Sequence, residues 1–143
     1  MKTIKIIWHY ILIVYYQLAF FTGGVIDDEY YLGVAGQWMD LDKYKRAIKN
    51  LEMALKTYDV SSVRYSLAWC YQNIGEYEKA CINYDRAHEK HSHPIYKIYF
   101  AYCKNCLGKK EESIKIINEL KETKMDENIL KEFNRINYLI NNQ

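Results

Sequence analysis

Proline is nearly missing from this chain, with one in 143 residues, and glycine is sparse at six. So few breakers leave little to punctuate many short strands, which argues against a sandwich or barrel and for helices. Net charge is also small. Twenty Lys and Arg stand against 18 Asp and Glu, a formal +2, too little for the basic footprint of a general nucleic-acid binder. The sequence has no P-loop, no G-x-G-x-x-G, no H-E-x-x-H and no G-x-S-x-G, and none of its His or Cys has an evident general-base or nucleophile partner. The expectation is a non-enzymatic protein with no cofactor. What is present is a core-forming composition, half hydrophobic and 27% charged, with 15 tyrosines, in a length that suits one domain.

One segment is unlike the rest. From Ile6 to Ile26 there is no Asp, Glu, Lys or Arg, while Lys2 and Lys5 precede the run and Asp27, Asp28 and Glu29 follow it. As a helix these residues reach about 31 Å, the thickness of a bilayer's hydrocarbon core. Residues 1–26 therefore read as a membrane anchor or as a signal peptide cut after Gly24, and either places the remainder on the non-cytoplasmic side, because lysines favour the cytoplasmic face. The alternative is a cytoplasmic protein in which this helix packs on its own domain, which His9, Gln17 and the aromatics Trp8, Tyr10, Tyr15 and Tyr16 favour.

Residues 28–143 carry a repeat of 33. In the middle unit Leu67, Ala68, Tyr71, Gly75, Tyr77, Ala80, Tyr84 and Ala87 recur 33 residues earlier as Val34, Ala35, Trp38, Asp42, Tyr44, Ala47, Leu51 and Ala54. They recur 33 later as Phe100, Ala101, Lys104, Gly108, Lys110, Ser113, Ile117 and Leu120. The spacing describes a helical hairpin. Small residues at Ala68 and Ala80 let two helices approach, large ones fill the groove between them, and Gly75 stands where the first helix must stop. Asp42 leaves the first unit without that glycine, and Lys104, Lys110 and Ser113 predict a third unit that packs loosely or at a changed angle. Helices are expected at 29–40, 44–57, 61–73, 77–90, 94–107, 111–123 and 127–141, the last an amphipathic cap with Ile129, Phe133, Ile136 and Ile140 on one face.

The pattern resembles the tetratricopeptide repeat, a helical hairpin of about 34 residues. The resemblance covers about 100 of the 143 residues and departs at Arg64, which stands where the family has Trp. It implies an all-α fold, a short α-solenoid of three such hairpins with a C-terminal capping helix and an N-terminal hydrophobic helix. It further implies that the first helix of each unit lines a concave face where another protein binds. On that face stand Met39 from the first unit, Tyr65, Trp69 and Gln72 from the second, and Ile98, Tyr102 and Asn105 from the third. This is an aromatic, uncharged groove without the Lys and Arg clamps by which chaperone-binding members hold acidic peptides. The expected partner is a peptide, a helix or a complex subunit, and not a nucleic acid. The alternatives are a seam in which the aromatics only contact each other, a structural or assembly subunit of a membrane complex, and metal or thiol chemistry at His88, His91 and His93 or at Cys103 and Cys106. Core packing for the four cysteines and plain surface for the histidines are the simpler assignments.

Overall fold

A computed structural model describes residues 2–24 and 27–142; the end of the apolar run, residues 25 and 26, lies outside them. Among the described residues there are eight helices and no strand. They are α1 (Lys2–Phe21), α2 (Asp27–Asp40), α3 (Tyr44–Ala54), α4 (Ser61–Asn73), α5 (Tyr77–Lys90), α6 (Pro94–Cys106), α7 (Lys110–Leu120) and α8 (Glu127–Asn142). Each packs on the next in sequence, and α8 also packs on α6. The result is a short helical solenoid of three hairpins, α2–α3, α4–α5 and α6–α7, with α1 against one end and α8 capping the other.

The repeat register governs packing. Ala35, Ala47, Ala68, Ala80, Ala101 and Ser113, the small pair of each unit, all have zero exposure. Close approach of two helices requires a small side chain at the crossing, and this requirement is met three times. The expected looseness of the third hairpin does not appear. Ser113 hides its hydroxyl by donating to the Ala101 carbonyl at 2.7 Å, so a buried polar group is satisfied at the point of contact. Lys104 lies over the Phe100 ring and pairs with Glu112 at 2.9 Å, so it closes the hairpin from outside.

The three turns share one geometry. Asp42, Gly75 and Gly108 all have positive φ, at 56°, 80° and 74°. In each the left-handed residue donates to the carbonyl three back (Met39, Gln72, Asn105), and the next residue donates to the carbonyl five back (Trp38, Tyr71, Lys104). This double closure caps the orphan carbonyls of the first helix. Asp42 occupies the position for which the sequence lacked a glycine, since Asp is among the few residues that tolerate this backbone, and its carboxylate accepts from Tyr44 Oη at 2.8 Å.

Arg64 makes a polar joint at the start of α4. Its guanidinium holds Asp59 in a two-pronged bond, Nε to Oδ1 at 2.7 Å and Nη2 to Oδ2 at 3.0 Å, and reaches Asn83 Oδ1 at 3.1 Å. Lys90 adds a second cation to Asp59 at 3.3 Å. These bonds tie the α3–α4 connection to α5. Pro94 opens α6 as its first residue, where the helix expected at 94–107 begins, behind His93, whose Nδ1 accepts from the Ile95 amide. Helices α3 and α7 each end three residues before their expected ends, at Ala54 and Leu120.

The N-terminal helix is apolar enough to cross a membrane from Thr3 to Phe21, with a mean hydropathy of 1.5. It packs along α2: Phe20 stacks on Tyr30 with centroids 4.5 Å apart, and Tyr10 meets Trp38 edge-on at 5.7 Å.

The turns make a test. A Cβ at Gly75 would meet nothing within 4 Å, so its cost is the backbone alone. Gly75→Ala should lower stability by about 1 to 2 kcal/mol, whereas Asp42→Gly should change it by less than about 0.5 kcal/mol. Urea titrations that leave Gly75→Ala at the wild-type midpoint would remove the argument for a common turn.

Candidate functional site

The surface to consider is where the first helices of the second and third hairpins, α4 and α6, face each other. Tyr65 and Trp69 are one turn apart on α4, and Tyr96 and Tyr99 are one turn apart on α6, so each helix presents an aromatic pair at helical spacing. The rings interlock. Tyr65 lies 5.4 Å from Tyr96, 5.9 Å from Tyr84 and 6.2 Å from Tyr99, centroid to centroid. Trp69 meets Tyr99 edge-to-face at 5.3 Å and 80°, and Tyr84 stacks on Tyr99 at 5.7 Å and 17°. Tyr84 is fully buried and Tyr99 nearly so, while Tyr65 and Trp69 are half-buried and keep one side to solvent.

A polar network lies beneath and beside the rings. Gln72 Oε1 accepts from Tyr84 Oη at 3.0 Å and from the Cys103 thiol at 3.5 Å. The Tyr99 hydroxyl donates to Glu132 Oε1 on α8 at 2.6 Å, and Glu132 also takes the guanidinium of Arg135. Burial, followed by the bond to Glu132, pushes the Tyr99 hydroxyl pKa up. The Arg135 guanidinium, with help from Tyr99, holds the Glu132 carboxyl below its ordinary value. Burial raises Tyr84 and Tyr65 in the same way. All three phenols stay neutral; Tyr84 and Tyr99 act as donors, and all three as packing surface.

The seven residues expected to line a groove therefore divide. Tyr65 and Trp69 come together, but as one wall of a seam whose other wall is Tyr96 and Tyr99. Ile98 has zero exposure and belongs to the core, so it offers a partner nothing. Gln72 is half-buried with its oxygen committed inward, and Asn105 is half-buried and engaged within the fold. Tyr102 is half-buried, its pKa pushed to about 12 by burial and by a bond with Cys106. Met39 is half-buried on the first hairpin and packs against the core. Nor is the border uncharged, because Glu132 and Arg135 stand at its α8 side. Tyr96, Tyr99 and Glu132 were the residues missed. The readable signal was a second i, i+3 aromatic pair on the next first helix; nothing in the spacing showed which face α8 would cover.

The residues considered for other chemistry are spread out. Cys70, Cys81 and Cys103 are buried free thiols and Cys106 is half-buried. The Cys103 and Cys81 thiols influence each other's titration, the pKa of the first being raised and that of the second lowered. His93 caps α6, His91 stacks near it at 6.2 Å, and His88 lines a hollow of about 310 Å³ with Lys97 and Ile116. Among the described residues no group of three His, Cys, Asp or Glu stands close enough to hold a metal ion. No family model matches the chain, and no curated protein matches it.

The Trp69–Tyr99 contact is measurable. A double-mutant cycle of Trp69→Ala with Tyr99→Leu should show a coupling of about 0.5 to 1.5 kcal/mol in urea unfolding. Additive losses would mean that the two rings do not support each other.

Proposed function

We propose that this protein is a non-enzymatic interaction module of the tetratricopeptide type, attached to a membrane through α1, that holds a partner protein against the first helices of its hairpins. The observation that carries this is the half-open aromatic surface of Tyr65 and Trp69, backed by a rigid inner layer of Tyr84 and Tyr99. Large rings held in place by packing and open on one side are the anchors that binding energy concentrates on. The three-fold recurrence of the small-pair contact and of the left-handed turn supports the family assignment. The partner that suits the surface is an apolar helix or extended peptide; Glu132 and Arg135 at the border add a place for a polar or charged group.

Packing of α1 along α2 favours a retained helix over a cleaved signal. Removal of residues 1–24 would uncover Tyr31, Gly33 and Trp38, a mostly apolar strip on the first hairpin. The alternative, a structural subunit whose α1 packs among the helices of a membrane complex, predicts contacts at a different place.

A photo-crosslinking amino acid separates them. Placed at residue 69 or 102 of the full chain, it should yield an adduct with another protein, while the same group at Lys115 on the exposed face of α7 should not. Adducts only from the same group placed at exposed α1 positions would favour the subunit reading, and none from 69 or 102 would end the groove reading.

A further inference from the structure

The outer face of α1 is the largest feature left without a partner. Ten of the fifteen large hydrophobics exposed among the described residues are on this one helix. Its two sides are distinct. His9, Ile13, Tyr16 and Phe20, at spacings of four, three and four, face α2, and His9 and Ile13 are buried. Ile4, Ile7, Trp8, Ile11, Tyr15 and Leu18 form a stripe on the opposite side, each about half exposed or more.

The length of α1 suits a bilayer crossing, but its neighbours do not. Helix α2 runs back alongside it. Phe20 meets Tyr30, a Cβ at Gly33 would collide with the Tyr16 ring at 2.4 Å, Tyr10 meets Trp38, and His9 Nδ1 donates to Gln37 Oε1 at 2.7 Å. Asp40 then comes within 3.8 Å of His9, one to two turns from the start of α1. Asp42, Lys43, Lys45 and Arg46 follow at once, all exposed. With α1 upright in a membrane this docking would carry those charges into or through the hydrocarbon, where ionised side chains are strongly disfavoured. The aromatics agree. A crossing helix keeps Trp and Tyr at its two ends, at headgroup depth. In α1, Tyr10 and Tyr15, both exposed, stand along the middle, so only a helix lying flat has both at that depth.

We infer that α1 stays docked on α2 and lies in the plane of a membrane, its Ile4–Leu18 stripe sunk into the lipid interface and the repeat domain supplying the polar side that the helix itself lacks. The occupant of the face is a lipid bilayer surface. At the end of the helix Lys5 and Lys43 line one hollow together with Asp40 and Asp42, so charged groups of both signs border the stripe at headgroup depth. In this orientation the N-terminus and the hairpins share one side of the membrane, which replaces the arrangement expected from the charge asymmetry. The inference rests on the membrane attachment proposed above and is independent of the aromatic groove.

The test uses the full chain added to sealed vesicles of phosphatidylcholine and phosphatidylglycerol, followed by flotation and by labelling with a membrane-impermeant amine reagent. The chain should float, and Lys5 should be labelled from outside to the same extent as Lys56 and Lys115 on the repeats. Ile7→Glu with Ile11→Glu and Leu18→Glu should reduce flotation at least tenfold while the circular-dichroism melt of the hairpins is kept. Protection of Lys5 with the repeat lysines labelled would show a crossing helix and overturn the flat orientation while leaving membrane attachment intact. A chain that does not float overturns both. If light scattering then shows a dimer that the three Glu substitutions dissociate, the face belongs to a second copy. A chain purified from its own cells that begins after Gly24 overturns the inference as well.

Discussion

The contact between two small residues in each hairpin is what the rest of the structure depends on. Where Ala35 meets Ala47, Ala68 meets Ala80 and Ala101 meets Ser113, the helices come close enough for larger neighbours to interlock on either side. Leu51, Tyr84 and Ile117, at matching places in the second helices, are then buried to within 2% of their surface. A larger side chain at any of the six would push a hairpin apart and transmit the displacement to the next, since interiors are close-packed and yield little. The stack is one-dimensional in this sense: each unit touches only its neighbours, and its stability is built from local joints.

Those joints are not alike. The first and second hairpins are joined by polar groups: Tyr71 Oη donates to Glu52 at 2.6 Å, and Arg64 gathers Asp59 and Asn83. The second and third are joined by the aromatic layer, with Lys97 bridging to Asp85 at the edge. The third is joined to α8 by Phe133, Ile136 and Ile140 below and by Tyr99–Glu132 at the side. A surface presented by α4 and α6 is thus supported from behind by phenols that have no freedom to turn, which limits the ordering cost a partner would meet there.

Much of this was legible because the constraints that build a hairpin are local and periodic. Small residues at a crossing and a left-handed residue at a turn must recur with the unit, and so they did, down to Asp42 in a glycine's place. What could not be read depends on which faces meet. Ile98 sits at the repeat position of Tyr65, yet it is buried and Tyr99 beside it takes the seam, because a rotation of about 100° within a helix is invisible to a spacing. The spacing gave Arg64 no role, and only its bonds to Asp59 and Asn83 show that it is a joint.

The Arg64–Asp59–Lys90 clamp has a consequence for how solution conditions act on the stack. The bond from Arg64 holds the Asp59 carboxyl at about 2, below its ordinary value of 3.8. A carboxyl lowered on folding contributes stability above its unfolded value, and that contribution drains away only as the pH falls from near 4 to about 2. Mild acid therefore leaves the clamp charged. Asp59 is 38% exposed, however, and dissolved ions reach a pair at that depth readily. Ionic strength, rather than acidity, is the variable to which the joint between the first two hairpins responds.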